Sequence, residues 1–269
     1  MSEHGQHTLT GDIRHHPGFV SRALGNRRDV LVYLPPGYGR SRRRFPVLYL
    51  HDGQNVFDAA TSFAGQEWGA DETAQRLITA REMAPVIIVA VANAGEDRIH
   101  EYTPTRGRYQ FYGEAKRSKG LAGRYGRFLR KELKPFIDMH YRTRPEGEST
   151  GMGGSSLGGL VTLALALRHP RDFTRLAVMS PSIWWDDCVL FELVDKIKRK
   201  PPLKIWLDTG TEEEGWEQAR ELRDRLIAKG WQLGRDLHYY EAQGGQHTEA
   251  AWAARLDTVL TFLFPPARL

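Results

Sequence analysis

A chain of 269 residues, 41 % hydrophobic and 26 % charged, has room for one α/β domain or two small ones and an ordinary globular composition. No apolar run approaches 18 residues, which argues against a membrane-spanning helix, and a lone cysteine, Cys188, excludes an intrachain disulfide. The formal net charge of +5 is concentrated in the arginine run at 40–44 and between residues 98 and 130; with no nucleic-acid-binding module in the sequence, solvated basic loops are expected rather than a nucleic-acid partner.

In chain order, the first eleven residues are polar and lack the apolar centre of a signal peptide, so a cytoplasmic protein is expected. Residues 1–29 carry no assignable chemistry up to the first clear strand and read as an arm or edge strands. Residues 30–34 form that strand, stopped by Pro35-Pro36-Gly37, and the arginine run then sits in an exposed turn. The continuous apolar run 45–50 suits a strand buried on both faces and feeds into His51-Asp52-Gly53-Gln54-Asn55. A helix over 68–78 and the very apolar strand 85–91 follow.

Residues 93–123 are polar and dotted with Arg98, Glu101, Tyr102, Arg106, Arg108, Tyr109, Phe111 and Tyr112. A loop this long is uncommon unless functional, so it is a candidate lid. An amphipathic helix is expected over 125–139, a short strand over 149–153 and a buried helix over 157–167 closed by His169-Pro170. The alternation continues: strand 176–179, helix 190–198, strand 203–207, helix 216–229, strand 237–241 and a helix through Trp252 to Leu263. Strands alternating with helices at short spacing imply a mostly parallel sheet covered on both faces, here one α/β domain over 1–269.

Residues Gly154 to Gly158 make one G-x-S-x-G match, centred on Ser156. With 27 glycines in the chain, chance predicts about 0.1 such matches. In a nucleophile elbow, a strand turns sharply into a helix and the serine hydroxyl stands clear of the backbone. The helix side of this context is present, in the apolar stretch from Leu157.

Three loops then fall at the carboxyl ends of expected strands: the one holding Ser156, the acidic one holding Asp208, Glu212, Glu213 and Glu214, and Gly244-Gly245-Gln246-His247. The order serine, acid, histidine is that of α/β hydrolases. A serine hydroxyl needs a base to take its proton, imidazole supplies one, and a carboxylate fixes the imidazole tautomer. Any of the four acids could serve on this reading. The backbone amides of Gln54 and Leu157 are the expected oxyanion donors. Trp184 and Trp185, at a strand end, are candidate stacking surfaces for a ring, with core packing the competing reading and expected for one of the pair.

The pieces Val32-Tyr33-Leu34-Pro35-Pro36-Gly37-Tyr38, Tyr49-Leu50-His51-Asp52-Gly53-Gln54-Asn55, Glu101-Tyr102-Thr103-Pro104, Gly154-Ser155-Ser156-Leu157-Gly158-Gly159, Ser180-Pro181-Ser182-Ile183-Trp184-Trp185 and Gly245-Gln246-His247 resemble one esterase family of the α/β-hydrolase fold. That family includes enterochelin, feruloyl and acetylxylan esterases, S-formylglutathione hydrolases and mycolyltransferases. The resemblance runs from about residue 30 to the end. It implies an α/β-hydrolase fold, a mostly parallel central sheet with helices on both faces, and a serine esterase acting through an acyl-enzyme. It implies no metal or cofactor, and a small-molecule ester as the partner rather than nucleic acid or membrane. The family's acid falls three residues after the glycine of a Gly-Thr-x-Asp/Glu motif, which selects Glu213 in Gly210-Thr211-Glu212-Glu213.

Within the family the tryptophan pair and the Arg98 to Pro104 stretch look most like enterochelin-esterase-like members. Aromatic-acyl or catecholate trilactone esters are therefore expected, with Trp184, Trp185, Arg98 and Arg106 binding them. Carbohydrate esterase and acyltransferase activities on the same fold are the alternatives, and a non-catalytic binding module is a more distant one.

Overall fold

The computed structural model describes residues 7–111 and 113–266, so Tyr112 and the first six residues of the expected arm lie outside the described residues. The strands are β1 (Asp12–Ser21), β2 (Asn26–Leu34), β3 (Val47–His51), β4 (Ile87–Val91), β5 (Gly107–Phe111), β6 (Glu114–Ser118), β7 (Thr150–Ser155), β8 (Arg175–Met179), β9 (Lys204–Gly210) and β10 (Leu237–Ala242). The helices are α1 (Ala70–Thr79), α2 (Arg98–Tyr102), α3 (Ala122–Phe128), α4 (Lys134–His140), α5 (Leu157–Arg168), α6 (Val189–Asp195), α7 (Glu217–Ala228), α8 (Glu249–Ala253) and α9 (Leu256–Leu263).

Eight strands form one sheet in the order β1-β2-β4-β3-β7-β8-β9-β10. β4, β3, β7, β8, β9 and β10 run parallel along it, while β2 pairs antiparallel with both β1 and β4, and β5 and β6 form a separate antiparallel hairpin. This is the mostly parallel sheet that the alternating pattern predicts, arranged in the α/β-hydrolase architecture that the resemblance implies. The chain leaves β3 for β4 on one side and reaches β7 on the other, so β3 and β7 flank the point where strand order reverses. Crevices open there, outside the carboxyl ends of the strands.

The alternation of side chains sorts the core into two layers. Val47 and Tyr49 of β3 join the layer under α3 and α5, whereas Leu48 and Leu50 join the layer under α1 and α9. All four are fully or almost fully buried, as a strand covered on both faces requires.

The polar segment before residue 30, expected as an arm or edge strands, supplies a whole edge strand, β1, whose burial pattern is mostly exposed and partly buried and therefore gives little apolar signal. Two regions differ from the sequence expectation. The region read as a long loop over 93–123 contains α2 and the β5–β6 hairpin. Its root is fixed by a buried pair, Arg28 Nη2 to both carboxylate oxygens of Glu101 at 2.9 Å, with Asn26 Nδ2 at 2.7 Å from the same carboxylate. The helix expected over 125–139 contains a π-turn at Leu129–Leu133 between α3 and α4, adjacent to Pro135, whose missing N–H cannot continue an α-helical ladder. Among the described residues no helix is long and apolar enough to cross a membrane.

His51 ends β3 with no exposed surface. Its Nδ1 is 2.9 Å from the Tyr125 hydroxyl, and its Nε2 has no hydrogen-bond partner among the described residues. Burial, opposed by Asp52 and reinforced by Arg98 and Arg28, lowers its pKa from 6.5 to about 4. The unfolded chain therefore binds the extra proton first as pH falls, and the stabilisation present above pH 6.5 is lost progressively toward pH 4. Denaturation measured across this window should show the wild type losing roughly 3 kcal/mol more than His51→Gln; identical pH slopes in the two proteins would contradict it.

Candidate active site

Ser156 sits between β7 and α5 with φ 58° and ψ −123°, backbone that a residue with a Cβ seldom adopts. Its amide is anchored by the carbonyl of Met179 at 3.0 Å, and its own carbonyl accepts from Leu160 at 3.1 Å and Ser182 at 3.0 Å. The strand expected over 149–153 is present and runs two residues further, to Ser155. The elbow geometry thus holds on both sides. Among the described residues, no acceptor takes the amides of Leu157 or Gln54, which stand at the starts of α5 and of the turn after β3.

Beyond the ends of β9 and β10, Glu213 and His247 meet. Glu213 Oε2 lies 2.9 Å from His247 Nδ1. Glu213 Oε1 accepts from the Ser180 hydroxyl at 2.6 Å and the Gly210 amide at 2.9 Å. Burial works to raise the pKa of Glu213, but the hydrogen bonds from His247 and Ser180, the charge of His247 and the Gly210 amide outweigh it and hold the carboxyl below the ordinary glutamate range. The His247 ring is about half exposed, 45 % by side chain, and meets Trp252 edge to face at 4.9 Å.

The two loops are stitched together by backbone: Thr211 donates to the Ala242 carbonyl and Glu212 to the Gly245 carbonyl, both at 3.0 Å. A Cβ on Gly210 would stand 2.2 Å from the Gly245 oxygen, so glycine is the residue this approach admits.

Ser180 is the residue of this site that the sequence reading did not single out. It has φ 38°, and its hydroxyl donates to Glu213 while accepting from Trp252 Nε1 at 3.0 Å and Arg255 Nη2 at 2.7 Å. The Ser-Pro-Ser motif drew attention to its tryptophans instead. Asp208, one of the four candidate acids, is turned away from His247. It is fully buried and accepts from Arg255 Nη2 at 3.0 Å, Trp206 Nε1 at 2.6 Å and the Ser180 amide at 3.0 Å. Glu212 and Glu214 make no contact with His247 among those described.

A cavity of about 920 Å³ opens beside this pair. Ser182, Glu213, His247, Trp184, Trp216, Arg108 and Tyr109 line it. Ser156 connects to it through Ser182, its Oγ 3.3 Å from that of Ser182, and is not hydrogen-bonded to His247.

The β5–β6 hairpin, within the region expected as a candidate lid, supplies Arg108, Tyr109, Gln110 and Ala115 to the lining. The expected substrate-binding residues divide. Trp184 is 51 % exposed at the cavity wall, but Trp185 is wholly buried, because its ring packs under Gly107 and its Nε1 donates to Thr105 Oγ1 at 3.1 Å. Arg98 is spent on a two-point ion pair with Asp52, and Arg106 is exposed outside the cavity lining.

A carboxylate cluster able to offer oxygens to a cation, Glu67, Asp71 and Glu72, lies at the start of α1 and contributes nothing to the cavity lining. Thr8 and Thr10 donate to it, and burial with its acidic neighbour Glu72 pushes Asp71 up to about 8, which keeps a proton in the cluster.

The family model described as "Putative esterase" matches residues 21–263. The chain belongs to the Esterase family. Within the Esterase family and its structural relatives, the ferri-bacillibactin esterase BesA of Bacillus subtilis is 27 % identical over 264 residues, covering 86 % of this chain and 84 % of that protein. An endo-1,4-beta-xylanase/feruloyl esterase of Xylanibacter ruminicola is 28 % identical over 251 residues, which is 91 % of this chain but 30 % of that protein. The enterobactin esterase FES of Shigella flexneri, solved in the presence of enterobactin, superposes with a TM-score of 0.74 at 20 % identity over 95 % of this chain and 60 % of its own, a likeness of fold.

The Asp208–Arg255 pair beneath the site is almost completely buried, so removing one partner strands the other charge. Arg255→Met should destabilise the protein by about 3 kcal/mol in chemical denaturation, and Arg255→Met combined with Asp208→Asn should recover part of that loss. Additive losses in the double variant would contradict the pairing.

Proposed function

We propose that this Esterase-family chain is a serine carboxylic-ester hydrolase with Ser156 as nucleophile, His247 as base and Glu213 as the orienting acid. The observation that carries the reading is the 2.9 Å contact of Glu213 with His247 Nδ1, which leaves Nε2 as the ring nitrogen for a serine proton, and Ser156 is held in elbow geometry at the end of β7. Ser156 Oγ attacks the ester carbonyl carbon as its proton passes to His247 Nε2. The amides of Gln54 and Leu157 take the oxyanion, and the C–O bond breaks with the alcohol leaving on the proton from His247. Water then attacks the acyl-enzyme, His247 takes its proton and returns it to Ser156 Oγ, and the acid is released. No redox partner or metal enters this balance. The Ser156 and His247 side chains are not hydrogen-bonded here, a separation common before substrate binds.

The substrate class follows from the wall. Trp184, Trp216 and Tyr109 offer aromatic surface and Arg108 a cation to an acyl group that is ringed and anionic. Of the relatives, one is named a ferri-bacillibactin esterase and one a feruloyl esterase; the second name specifies an aromatic acyl group, and the reading adopts it.

An active-site phosphonate should label wild type at Ser156, and Ser156→Ala should lose both the label and nearly all turnover. Glu213→Gln should cut kcat by about 10³- to 10⁴-fold with KM little changed. Labelling that survives Ser156→Ala, or an Asp208→Asn variant as crippled as Glu213→Gln while remaining folded, sinks the assignment.

For paired aromatic-acyl and acetyl esters with one leaving group, wild type should favour the aromatic acyl group by about 10- to 100-fold in kcat/KM. Trp184→Ala should shrink that ratio, and catecholate trilactones and feruloylated sugars should be compared in the same series. Equal constants for the two acyl groups would remove the aromatic reading.

A further inference from the structure

The turn that presents the Gln54 amide begins on Asp52, a non-glycine residue with φ 55° and ψ 46°. Every hydrogen-bonding group of Asp52 is engaged. Arg98 Nε lies 2.6 Å from its Oδ1 and Arg98 Nη2 2.8 Å from its Oδ2, while Asn93 Nδ2 donates to Oδ1 at 2.7 Å. The Asp52 amide donates to the Tyr102 hydroxyl at 3.2 Å, and its carbonyl accepts from Asn55 at 2.9 Å. Gly53 then lies so close to β4 that a Cβ would stand 2.5 Å from the backbone of Ala90 and Val91. The Gln54 side chain accepts from the Asn93 amide at 3.2 Å, so Asn93 grips the turn at two points.

On its other side the Asp52 carboxylate abuts the elbow: its Oδ2 is 3.6 Å from where a Cβ on Gly158 would be. A buried carboxylate at the first turn of α5 would oppose negative charge developing at the neighbouring amides unless a cation cancels it. Burial works to raise the pKa of Asp52, but the charge and hydrogen bonds of Arg98, with the hydrogen bond from Asn93, outweigh it and hold the group ionised.

We infer that Arg98 is a positioning residue for the proposed reaction, acting through Asp52 to fix the Gln54 amide and to cancel the carboxylate beside the elbow, and is not a substrate-binding residue. This rests on the acyl-enzyme reading above. The bidentate fork is the reason for arginine: lysine would keep the charge and lose the orientation.

The test compares wild type, Arg98→Lys, Arg98→Met, Asp52→Asn and the Arg98→Met/Asp52→Asn pair on an uncharged and an anionic aryl-acyl ester with one leaving group, with melting curves for each. Arg98→Met should lower kcat by about 100-fold on both esters, the scale of losing one oxyanion donor, with KM changed by less than about threefold. Arg98→Lys should fall between, and the double variant should recover about tenfold over Arg98→Met because no unpaired carboxylate remains. If Arg98→Met does not fold, Arg98→Lys and the double variant carry the same comparison. A rise in KM confined to the anionic ester, with kcat intact, overturns the inference and returns Arg98 to substrate binding. A wild type that phosphonate does not label at Ser156 overturns the acyl-enzyme reading itself, a result distinct from labelled protein whose Arg98 variants change KM alone.

Discussion

The two oxygens of the Glu213 carboxylate join the interior of this protein to its cavity. One is held from below by the Ser180 hydroxyl and the Gly210 amide; the other reaches out to His247. A carboxylate with a single exposed partner would rotate and be solvated, whereas one whose inner oxygen is fixed presents the outer one at a set position. Behind it, Ser180 is fixed in turn by Trp252 and Arg255, and Arg255 by Asp208. The chain of contacts runs through α8, α9, β8 and β9, so the orientation of one imidazole draws on four elements of the fold.

The order of chemistry along the chain was readable because it depends on sequence alone: a serine between glycines before an apolar helix, acids after one strand, and histidine after the last. The choice among four acids was not readable from spacing, since Asp208, Glu212, Glu213 and Glu214 all fall on one loop. The family resemblance chose Glu213, and the fold gives a physical reason for that choice. Asp208 still belongs to β9, where its side chain points into the interior and Arg255 compensates it, while Glu213 follows a turn that brings it level with the His247 loop.

Other parts were hidden for different reasons. β1 carries few buried side chains because it is an edge strand, and the hairpin over 107–118 is polar because it stands on the surface; neither leaves an apolar period to find. The placement of arginines is hard to read from sequence for a related reason. Composition shows that a charge is present, not whether another charge already satisfies it. Arg98 and Arg28 are each absorbed by a buried carboxylate, Asp52 and Glu101, and these pairs fix the backbone around the cavity instead of lining it. Arg108, similar in sequence context, lines the cavity.

The tryptophan pair shows how adjacent identical residues acquire separate tasks. After β8 the chain turns, and successive side chains leave in different directions. Trp185 goes inward, where a Cβ on Gly107 would stand 2.6 Å from its ring and Tyr109 lies 6.3 Å away between centroids. It is therefore a base on which the β5–β6 hairpin rests, and through that hairpin it sets where Arg108 and Tyr109 stand. Trp184 goes outward to the wall itself, 5.8 Å from its neighbour. The pair thus builds one side of the cavity twice over, once by direct contact and once by supporting the hairpin that lines it together with Glu213 and His247. Enlarging Gly107 would press on Trp185 before it touched anything in the cavity, so the shape of this wall is governed by packing beneath it as much as by the residues that face the open space.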